Sequence, residues 1–229
     1  MWSAGPGEPL LADGAVHVWR ADLDTVSGEQ PLLLSADEHA RAARIFDERR
    51  RLRWMRSRAL LRALLGGYTS VEPRSLRLTA GEHRKPALQA VHGSDAAELC
   101  FNLSHSGKIA LYAFSWSGPV GVDVEVARRH RRRTPALVAR AFGPEQAGRL
   151  AALPPSERER EFLRLWVRHE ATLKLGGGGL GDGCGQRGAA GAWIAELALG
   201  PAAAGALAAE RPPSELRCWE WRPPQRASA

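Results

Sequence analysis

The chain has 229 residues, of which 44% are hydrophobic and 25% are charged, and its formal net charge is +7. This composition is typical of a globular protein with a sizeable core, in one large domain or two small ones, and it excludes an intrinsically disordered chain. No apolar run is long enough to span a membrane and no secretory segment is recognisable, so we expect a cytoplasmic protein without a membrane partner. The pI of about 10.1 indicates an anionic partner, either nucleic acid, a phosphorylated cofactor or an acidic protein.

Periodicity and turn signals predict the elements of the first part of the chain. Strands are expected at residues 16–19, 75–79, 99–103 and 109–116, and a helix is expected from residue 35 to about residue 65. Ser35 and Glu38 form a capping box at the start of this helix, and Gly66 with Gly67 is expected to end it. Residues 81–86 indicate a turn, and residues 87–97 an irregular loop.

The stretch 121–126 predicts a strand with two different faces. Val122, Val124 and Val126 alternate with Asp123 and Glu125, which is the period of a half-buried strand. The valines should enter a core, and the two acids should project from the other face, roughly 6–7 Å apart along the strand. Because neighbouring carboxylates repel each other, a hard cation such as Mg²⁺ is expected between them. The alternative is a strand edge with ordinary solvated charges.

A helix with chemically uncommon residues is predicted after this strand. The further expected elements are helices at about 134–142, 144–153 and 156–175, a glycine-rich segment at 176–191, and strands at 192–199 and 216–221. Ser156 and Glu159 form a second capping box. On the helix that follows, Trp166, Glu170 and Lys174 lie one above another at four-residue spacing. The alternative interpretation of Glu170 and Lys174 is an ordinary surface ion pair.

Three separated motifs stand out: F-N-L-S-H-S-G at 101–107, G-V-D-V-E at 121–125 and W-V-R-H-E-A-T-L-K at 166–174. In this order and spacing they closely resemble the 4′-phosphopantetheinyl transferases of the surfactin-synthetase-activating (Sfp) type. The patterns of that family are F-N-[IL]-S-H-S, G-[IV]-D-[IV]-E and W-x-x-K-E-[AS]-x-x-K. The resemblance covers about residues 30 to 180. It implies an α+β fold of two similar, pseudo-twofold-related α/β halves, at 1–117 and 118–229, with the active site at their junction.

The resemblance also implies a reaction and a set of residues. The family transfers the 4′-phosphopantetheine arm of coenzyme A to a serine of an apo acyl or peptidyl carrier protein and releases 3′,5′-ADP. The implied ligands of Mg²⁺, or of Mn²⁺, are Asp123, Glu125 and Glu170. The implied coenzyme A ligands are Arg53, Lys85, Ser104, His105 and Lys174. The implied catalytic residues are Asp123, as a metal ligand, Glu170, and Lys174, on the pyrophosphate. Glu170, or a water on the metal, would take the serine proton.

Four departures from the family pattern are present: His169, Arg84 where the family usually has glycine, the long glycine-rich segment after Leu180, and the C-terminal end. His169 stands where the family usually has lysine, which leaves open a degenerate member that binds coenzyme A without transferring its arm. The family usually ends with another apolar strand in its second half, whereas residues 219–221 run into two prolines. The second half is therefore expected to be one strand short. Because both halves lie in one chain, a monomer is expected to suffice.

Two interpretations outside the family compete with it. A nucleic-acid-binding protein is suggested by the high pI and by the basic run at residues 128–133, but no aromatic residues are interleaved with that run, so no nucleic-acid partner is expected. The same run is our hypothesis for a docking patch that receives an acidic carrier. A serine hydrolase would use Ser104 or Ser106 with His105 and Asp123, but no G-x-S-x-G elbow is present.

Overall fold

The computed structural model describes residues 2–26, 30–80, 86–89, 98–127, 139, 141–176 and 191–223. Its strands are β1 (Ser3–Ala4), β2 (Ala15–Asp22), β3 (Leu78–Ala80), β4 (Pro86–Leu88), β5 (Cys100–Ser106), β6 (Ile109–Ser115), β7 (Val120–Val126), β8 (Trp193–Leu197), β9 (Ala203–Ala209) and β10 (Glu215–Glu220). The helices of these ranges are α1 (Ala36–Ala43), α2 (Glu48–Thr69), α3 (Pro144–Ala152) and α4 (Pro155–Gly176), with a 3₁₀ turn at Gln30–Leu33. The predicted α+β class is confirmed.

Strand β10 connects the end of the chain to its beginning. The larger sheet has five strands in the order β1-β10-β2-β6-β5, and β10 runs parallel to both of its neighbours. A second sheet has three strands in the order β7-β9-β8, and β3 pairs with β4. The second half was expected to end one strand short. The structure shows that β10, the last strand of the described residues, lies in the sheet of the first half. The boundary between residues 117 and 118 stays a prediction.

The two larger sheets pack face to face between two long helices. One face of the five-stranded sheet meets α2 in a core that includes Trp19, Leu60, Leu61, Leu64, Leu65, Tyr112 and Phe114. Its other face meets the three-stranded sheet in a core that includes Val18, Leu111, Ala113, Val122, Val124 and Leu207. Helix α4 covers the outer face of the three-stranded sheet, in a cluster of Val167, Ala171, Leu175, Ala206 and Ala208. Val122 and Val124 of β7 therefore enter a core, as predicted, whereas Val126 is only half-buried.

The single helix predicted from residue 35 to residue 65 is two helices. The capping box is confirmed, because Glu38 N donates to Ser35 Oγ at 3.3 Å and Ser35 N donates to Glu38 Oε2 at 3.0 Å. A second cap then begins α2, where Arg50 N donates to the Asp47 carboxylate at 2.7 Å. An aspartate that accepts this bond satisfies one of the unpaired amides at a helix start, which explains the break between α1 and α2.

Two other predicted helix boundaries were wrong. Helix α2 does not end at Gly66 but continues to Thr69. A Cβ atom at Gly66 would lie 2.8 Å from Pro73 Cγ, so this glycine permits close packing and does not cap the helix. Helix α4 begins at Pro155, which places Ser156 inside the helix and removes its expected capping role. Proline suits the first turn of a helix because its missing N–H would be unpaired there.

Several expectations concern the remaining parts of the chain. Strand β3 begins later than predicted, and β1, β4 and β9 were not predicted. The basic run at 128–133 and the glycine-rich segment at 177–190 lie outside the described residues, as does most of the helix expected at about 134–142. Within the described ranges, no helix combines the length and the apolar composition needed to cross a membrane.

Candidate active site

Gly121 allows α4 to lie directly on β7. A Cβ atom at this position would collide with the backbone carbonyl of Ala171 and would lie 2.6 Å from the backbone nitrogen of Leu175. Alternate residues of a strand point to the same side, so Asp123 and Glu125 share the helix-facing side with Gly121. The sequence G-V-D-V-E thus combines a valine face for the core with an acidic face beside a helix.

Lys174, near the C-terminal end of α4, forms an ion pair with Asp123. Its Nζ donates hydrogen bonds to Asp123 Oδ1 at 2.7 Å and to the carbonyl of Val122 at 3.1 Å. Ser104 Oγ donates to the same carboxylate oxygen at 2.8 Å. Only 8% of the Asp123 side chain is exposed, compared with 22% of the Lys174 side chain. Burial raises the pKa of Asp123 above its ordinary value, although Lys174 and Ser104 act in the opposite direction.

The second carboxylate oxygen of Asp123 tests whether these residues fit a metal ion. Oδ2 is buried and has no hydrogen-bond partner among the residues that the structure describes. A buried carboxylate oxygen without a donor is unfavourable, and a hard cation is the ligand that it suits best. Asp123 and Glu125 are two residues apart on one face of β7, and the negative charge of Glu125 raises the pKa of Asp123 further. The pair therefore fits a divalent cation.

The third expected metal ligand, Glu170, lies one helical turn before Lys174 on α4 and is half-buried. Residues four apart share one face of a helix, so Glu170 is on the side of α4 from which Lys174 reaches Asp123. Among the described residues, however, no three histidine, cysteine, aspartate or glutamate side chains are grouped so as to hold a metal ion. The participation of Glu170 accordingly stays a prediction.

Polar side chains on alternate residues of β5 connect this strand to β7. Asn102 Oδ1 accepts a hydrogen bond from Val122 N at 3.0 Å, and Ser106 Oγ donates to Glu125 Oε2 at 2.8 Å. Together with Ser104, these side chains replace the backbone ladder that would join two strands of one sheet. Ser104 and Ser106 each bind a carboxylate, so neither hydroxyl forms the serine–histidine pair that a hydrolase needs.

His105 lies on the opposite side of β5 from the two serines, because neighbouring residues of a strand alternate. The residue is exposed at the strand surface, yet partial burial of its ring lowers the pKa of His105, and the positive charges of Lys174, Arg58 and Arg50 lower it further. We refer to His105 with these three cations as the cationic cluster, and positive charge of this kind suits phosphate groups.

Arg58 is the cation of this cluster that the sequence did not reveal. The residue is only 9% exposed, and its Nε has no hydrogen-bond partner among the described residues. Its ion-pair partner, Glu38 Oε1, is 3.9 Å away, and Glu38 binds Arg62 more closely, at 2.7 Å. The loss of hydration lowers the pKa of Arg58. The sequence around residue 58 does not indicate this burial, which depends on the packing of α2 against α1.

The other expected phosphate ligands are placed differently. Arg53 binds Asp24 through two bonds, from Nε to Oδ1 at 2.7 Å and from Nη2 to Oδ2 at 2.6 Å. Its guanidinium lowers the pKa of Asp24 to about 2. The structure thus shows Arg53 on a carboxylate, whereas a phosphate was expected. Lys85 lies outside the described residues.

His169 packs among aromatic side chains. Its ring centroid lies 5.7 Å from that of Phe142 and 6.2 Å from that of Trp166. Phe162 stacks on Trp166 at 5.7 Å and completes the cluster. These contacts are those of a histidine packed against other rings. They do not explain why lysine is absent here.

Comparisons with known proteins cover nearly the whole chain. The model of the 4′-phosphopantetheinyl transferase superfamily matches residues 119–220, and that of the 4′-phosphopantetheinyl transferase N-terminal domain matches residues 19–117. The chain is 36% identical to the 4′-phosphopantetheinyl transferase HetI of Nostoc sp., over 78% of this chain and 76% of that protein. It is 31% identical to a putative 4′-phosphopantetheinyl transferase of Synechocystis sp., slr0495, over 77% and 70%. It is 34% identical to the 4′-phosphopantetheinyl transferase AcpT of Escherichia coli (strain K12), over 56% and 60%.

Proposed function

Because the chain belongs to the 4′-phosphopantetheinyl transferase superfamily, whose members transfer phosphopantetheine to carrier proteins, we propose that it takes this group from coenzyme A with the help of Mg²⁺. The product besides the holo carrier is 3′,5′-ADP. The observation that carries the proposal is the junction of β5, β7 and α4, where Ser104 and Lys174 converge on the buried carboxylate of Asp123. All three residues come from the motifs that carry the family resemblance.

The reaction is a displacement at phosphorus. The serine oxygen of the carrier forms a bond to the phosphorus that bears the pantetheine arm, and the bond from this phosphorus to the oxygen of the 3′,5′-ADP phosphate breaks. The serine proton passes to Glu170, and the negative charge leaves with ADP. Catalysis of such a transfer depends mainly on positioning and on cations that stabilise the developing charge.

Lys174 supplies one of these cations. Asp123 and the Val122 carbonyl hold its ammonium at the edge of β7, so its charge is in place before the substrate arrives. A compact ammonium suits a phosphate oxygen. We assign Lys174 to the pyrophosphate and to the departing ADP.

Asp123, Glu125 and Glu170 would hold the Mg²⁺ ion, or Mn²⁺ in its place. A bound divalent cation would neutralise the pyrophosphate and orient it. The support for this assignment is the Asp123 oxygen that lacks a donor among the described residues and the closeness of Glu125. Carboxylate oxygens are the donors that these cations prefer.

The cationic cluster around His105 is assigned to the phosphates of coenzyme A. The charges of Arg50 and Arg58 lower the pKa of His105, and the ion-pair partner of Arg58, Glu38 Oε1, lies 3.9 Å away. A guanidinium with unused donors binds phosphate well. These two arginines join Ser104, His105 and Lys85 in our assignment, with Arg53 available if coenzyme A displaces Asp24.

The carrier is an acyl or peptidyl carrier protein. The basic run at 128–133 stays our hypothesis for the docking patch of the carrier. The monomeric state and the cytoplasmic location of the protein also stay hypotheses. To test the proposal, the protein is incubated with coenzyme A, Mg²⁺ and an apo carrier, and 3′,5′-ADP is measured by chromatography. We expect ADP only when all three are present. Coenzyme A binding without ADP formation on any carrier would favour the degenerate member.

A further inference from the structure

Two of the three cation-binding carboxylates of the proposed site, those of β7, each accept a hydrogen bond from a hydroxyl of β5. One of these hydroxyls has no role in the function proposed above. Strands β5 and β7 belong to different sheets, so no backbone ladder fixes their separation. Side chains of β5 bridge the gap instead. Ser104 reaches Asp123 and Ser106 reaches Glu125, both at 2.8 Å.

Ser106 makes two bonds that point in complementary directions. Its Oγ donates to Glu125 Oε2 at 2.8 Å and accepts from the backbone N–H of Val126 at 3.2 Å. The residue is only 7% exposed, so water competes little for either bond. A hydroxyl can donate and accept at once, and here it links the carboxylate of Glu125 to the backbone of the next residue. These two hydrogen bonds fix the glutamate side chain relative to its own strand.

The alternative is that Ser106 simply satisfies a buried amide. Asn102 provides a comparison, because its Oδ1 accepts a hydrogen bond from Val122 N at 3.0 Å and its side chain bonds to no carboxylate among the described residues. Ser106 differs in donating to an acid as well. Groups that bond to a metal-binding carboxylate usually affect metal affinity tenfold or more.

We propose that Ser106 is a positioning residue that holds Glu125 in the orientation in which its carboxylate meets the divalent cation. This inference rests on the proposed function, because it assumes that Glu125 is a cation ligand. Ser106 touches neither the substrate nor the cation in this account. It acts by keeping one oxygen of Glu125 bonded to the hydroxyl, which restricts the rotation of a flexible side chain.

Binding of Mn²⁺ in the presence of coenzyme A, followed by electron paramagnetic resonance of the free ion, tests the proposal without a turnover measurement. Ser106→Ala should weaken Mn²⁺ binding about tenfold, and Ser106→Thr, which keeps the hydroxyl, should recover most of the affinity. Ser115→Ala is the matched control. Ser115 is a serine of β6 that is 3% exposed and accepts a bond from Ser117 N at 3.2 Å, away from the acids. The Ser115→Ala variant should bind Mn²⁺ as the parent protein does.

A second pair of variants covers the case in which Ser106→Ala does not fold. Ser106→Cys nearly keeps the volume but replaces the hydroxyl by a weak donor, so it should also weaken Mn²⁺ binding. In a Glu125→Gln background, Ser106→Cys should change the affinity no further, because the serine acts through the glutamate. Equal Mn²⁺ binding by the parent and Ser106→Cys would overturn this inference alone. Absence of Mn²⁺ binding by the parent would overturn it together with the proposed cation.

Discussion

The ammonium of Lys174 lies 2.7 Å from Oδ1 of Asp123, although the two residues belong to different elements and are 51 positions apart in the sequence. Gly121 makes this contact possible, because the absent side chain lets α4 approach β7. The acid is thus neutralised on one oxygen by the protein itself, and its other oxygen faces no donor in the described part of the chain. This asymmetry is the basis of our proposal that the site binds a cation and a phosphate together.

Removal of the Lys174 ammonium should reduce transfer strongly. Lys174→Met keeps the aliphatic stem but deletes the charge that stabilises the departing ADP, and the loss of one such group typically costs about 10²–10³-fold in kcat. The measurement is the rate of holo carrier formation at saturating coenzyme A. Lys108→Met is the control, because Lys108 pairs with Asp22 on the surface and its side chain is 57% exposed. Similar rates for the two variants would contradict the role assigned to Lys174.

Gly121→Ala should destabilise the protein and displace α4. The new Cβ atom would collide with backbone, which cannot move as a flexible side chain can. Overpacking of this kind typically costs about 1–3 kcal/mol of unfolding free energy. Urea unfolding measures the effect.

The control for this variant is Gly148→Ala, at a position in α3 where a Cβ atom meets nothing within 4 Å. Alanine is favoured over glycine in a helix by about 1 kcal/mol, so this variant should be neutral or slightly more stable. A Gly121→Ala protein as stable as the parent would show that α4 lies further from β7 than described.

Arg58→Gln should weaken coenzyme A binding mainly through the phosphates. The variant is compared with the parent on coenzyme A and on 3′-dephospho-coenzyme A, which lacks one phosphate. If Arg58 meets the 3′-phosphate, the parent prefers coenzyme A and the variant loses about 2 kcal/mol of this preference, which is typical of a charge-assisted hydrogen bond. The control is Arg149→Gln, because Arg149 forms an exposed ion pair with Glu145. An unchanged preference in Arg58→Gln would place the 3′-phosphate elsewhere.

Stability should fall as the pH decreases from about 6.5 to about 4, because of His17. This residue is 2% exposed, its Nδ1 lies 2.9 Å from the hydroxyl of Tyr68, and its ring centroid lies 4.2 Å from that of Trp219. Burial lowers the pKa of His17 to about 4. The unfolded chain therefore takes up a proton at a higher pH than the folded protein does, and the folded state loses stability over that interval.

The full effect is roughly 3 kcal/mol, at 1.36 kcal/mol for each unit by which the two pKa values differ. Urea unfolding at a series of pH values measures it, with His17→Gln as the variant that removes the titrating group. The difference between parent and variant should grow in favour of the variant as the pH falls. A constant difference across this interval would contradict a neutral buried His17.

The local features of the fold could be predicted from the sequence, and the non-local ones could not. The capping box of Ser35 and the valine face of β7 depend on residues within one turn or one strand. The place of β10 depends on its pairing with β2, about two hundred residues earlier, where Leu216 faces Val16. The residue pattern within β10 does not indicate which strand it pairs with.

Two site features were missed for related reasons. Strand β9 is rich in alanine, a residue with low strand propensity, and it forms because small side chains fit between β7 and β8 under α4. Ala206 lies opposite Asp123, where a larger residue would crowd the acid. Arg58 was missed because its burial depends on α1, which packs beside it. The three motifs were recognisable because their residue types are uncommon and their order fits one family.

Intact-mass spectrometry of apo carrier proteins tests the central claim most directly. A panel of acyl and peptidyl carriers is incubated with coenzyme A, Mg²⁺ and either the parent protein or Asp123→Asn, which keeps the shape of the side chain but removes the charge that Lys174 and the cation share. We predict that the parent adds the mass of one phosphopantetheine group to at least one carrier, and that chelation of the metal or Asp123→Asn abolishes the addition. Equal addition by both proteins, or addition that survives chelation, would contradict the site described here.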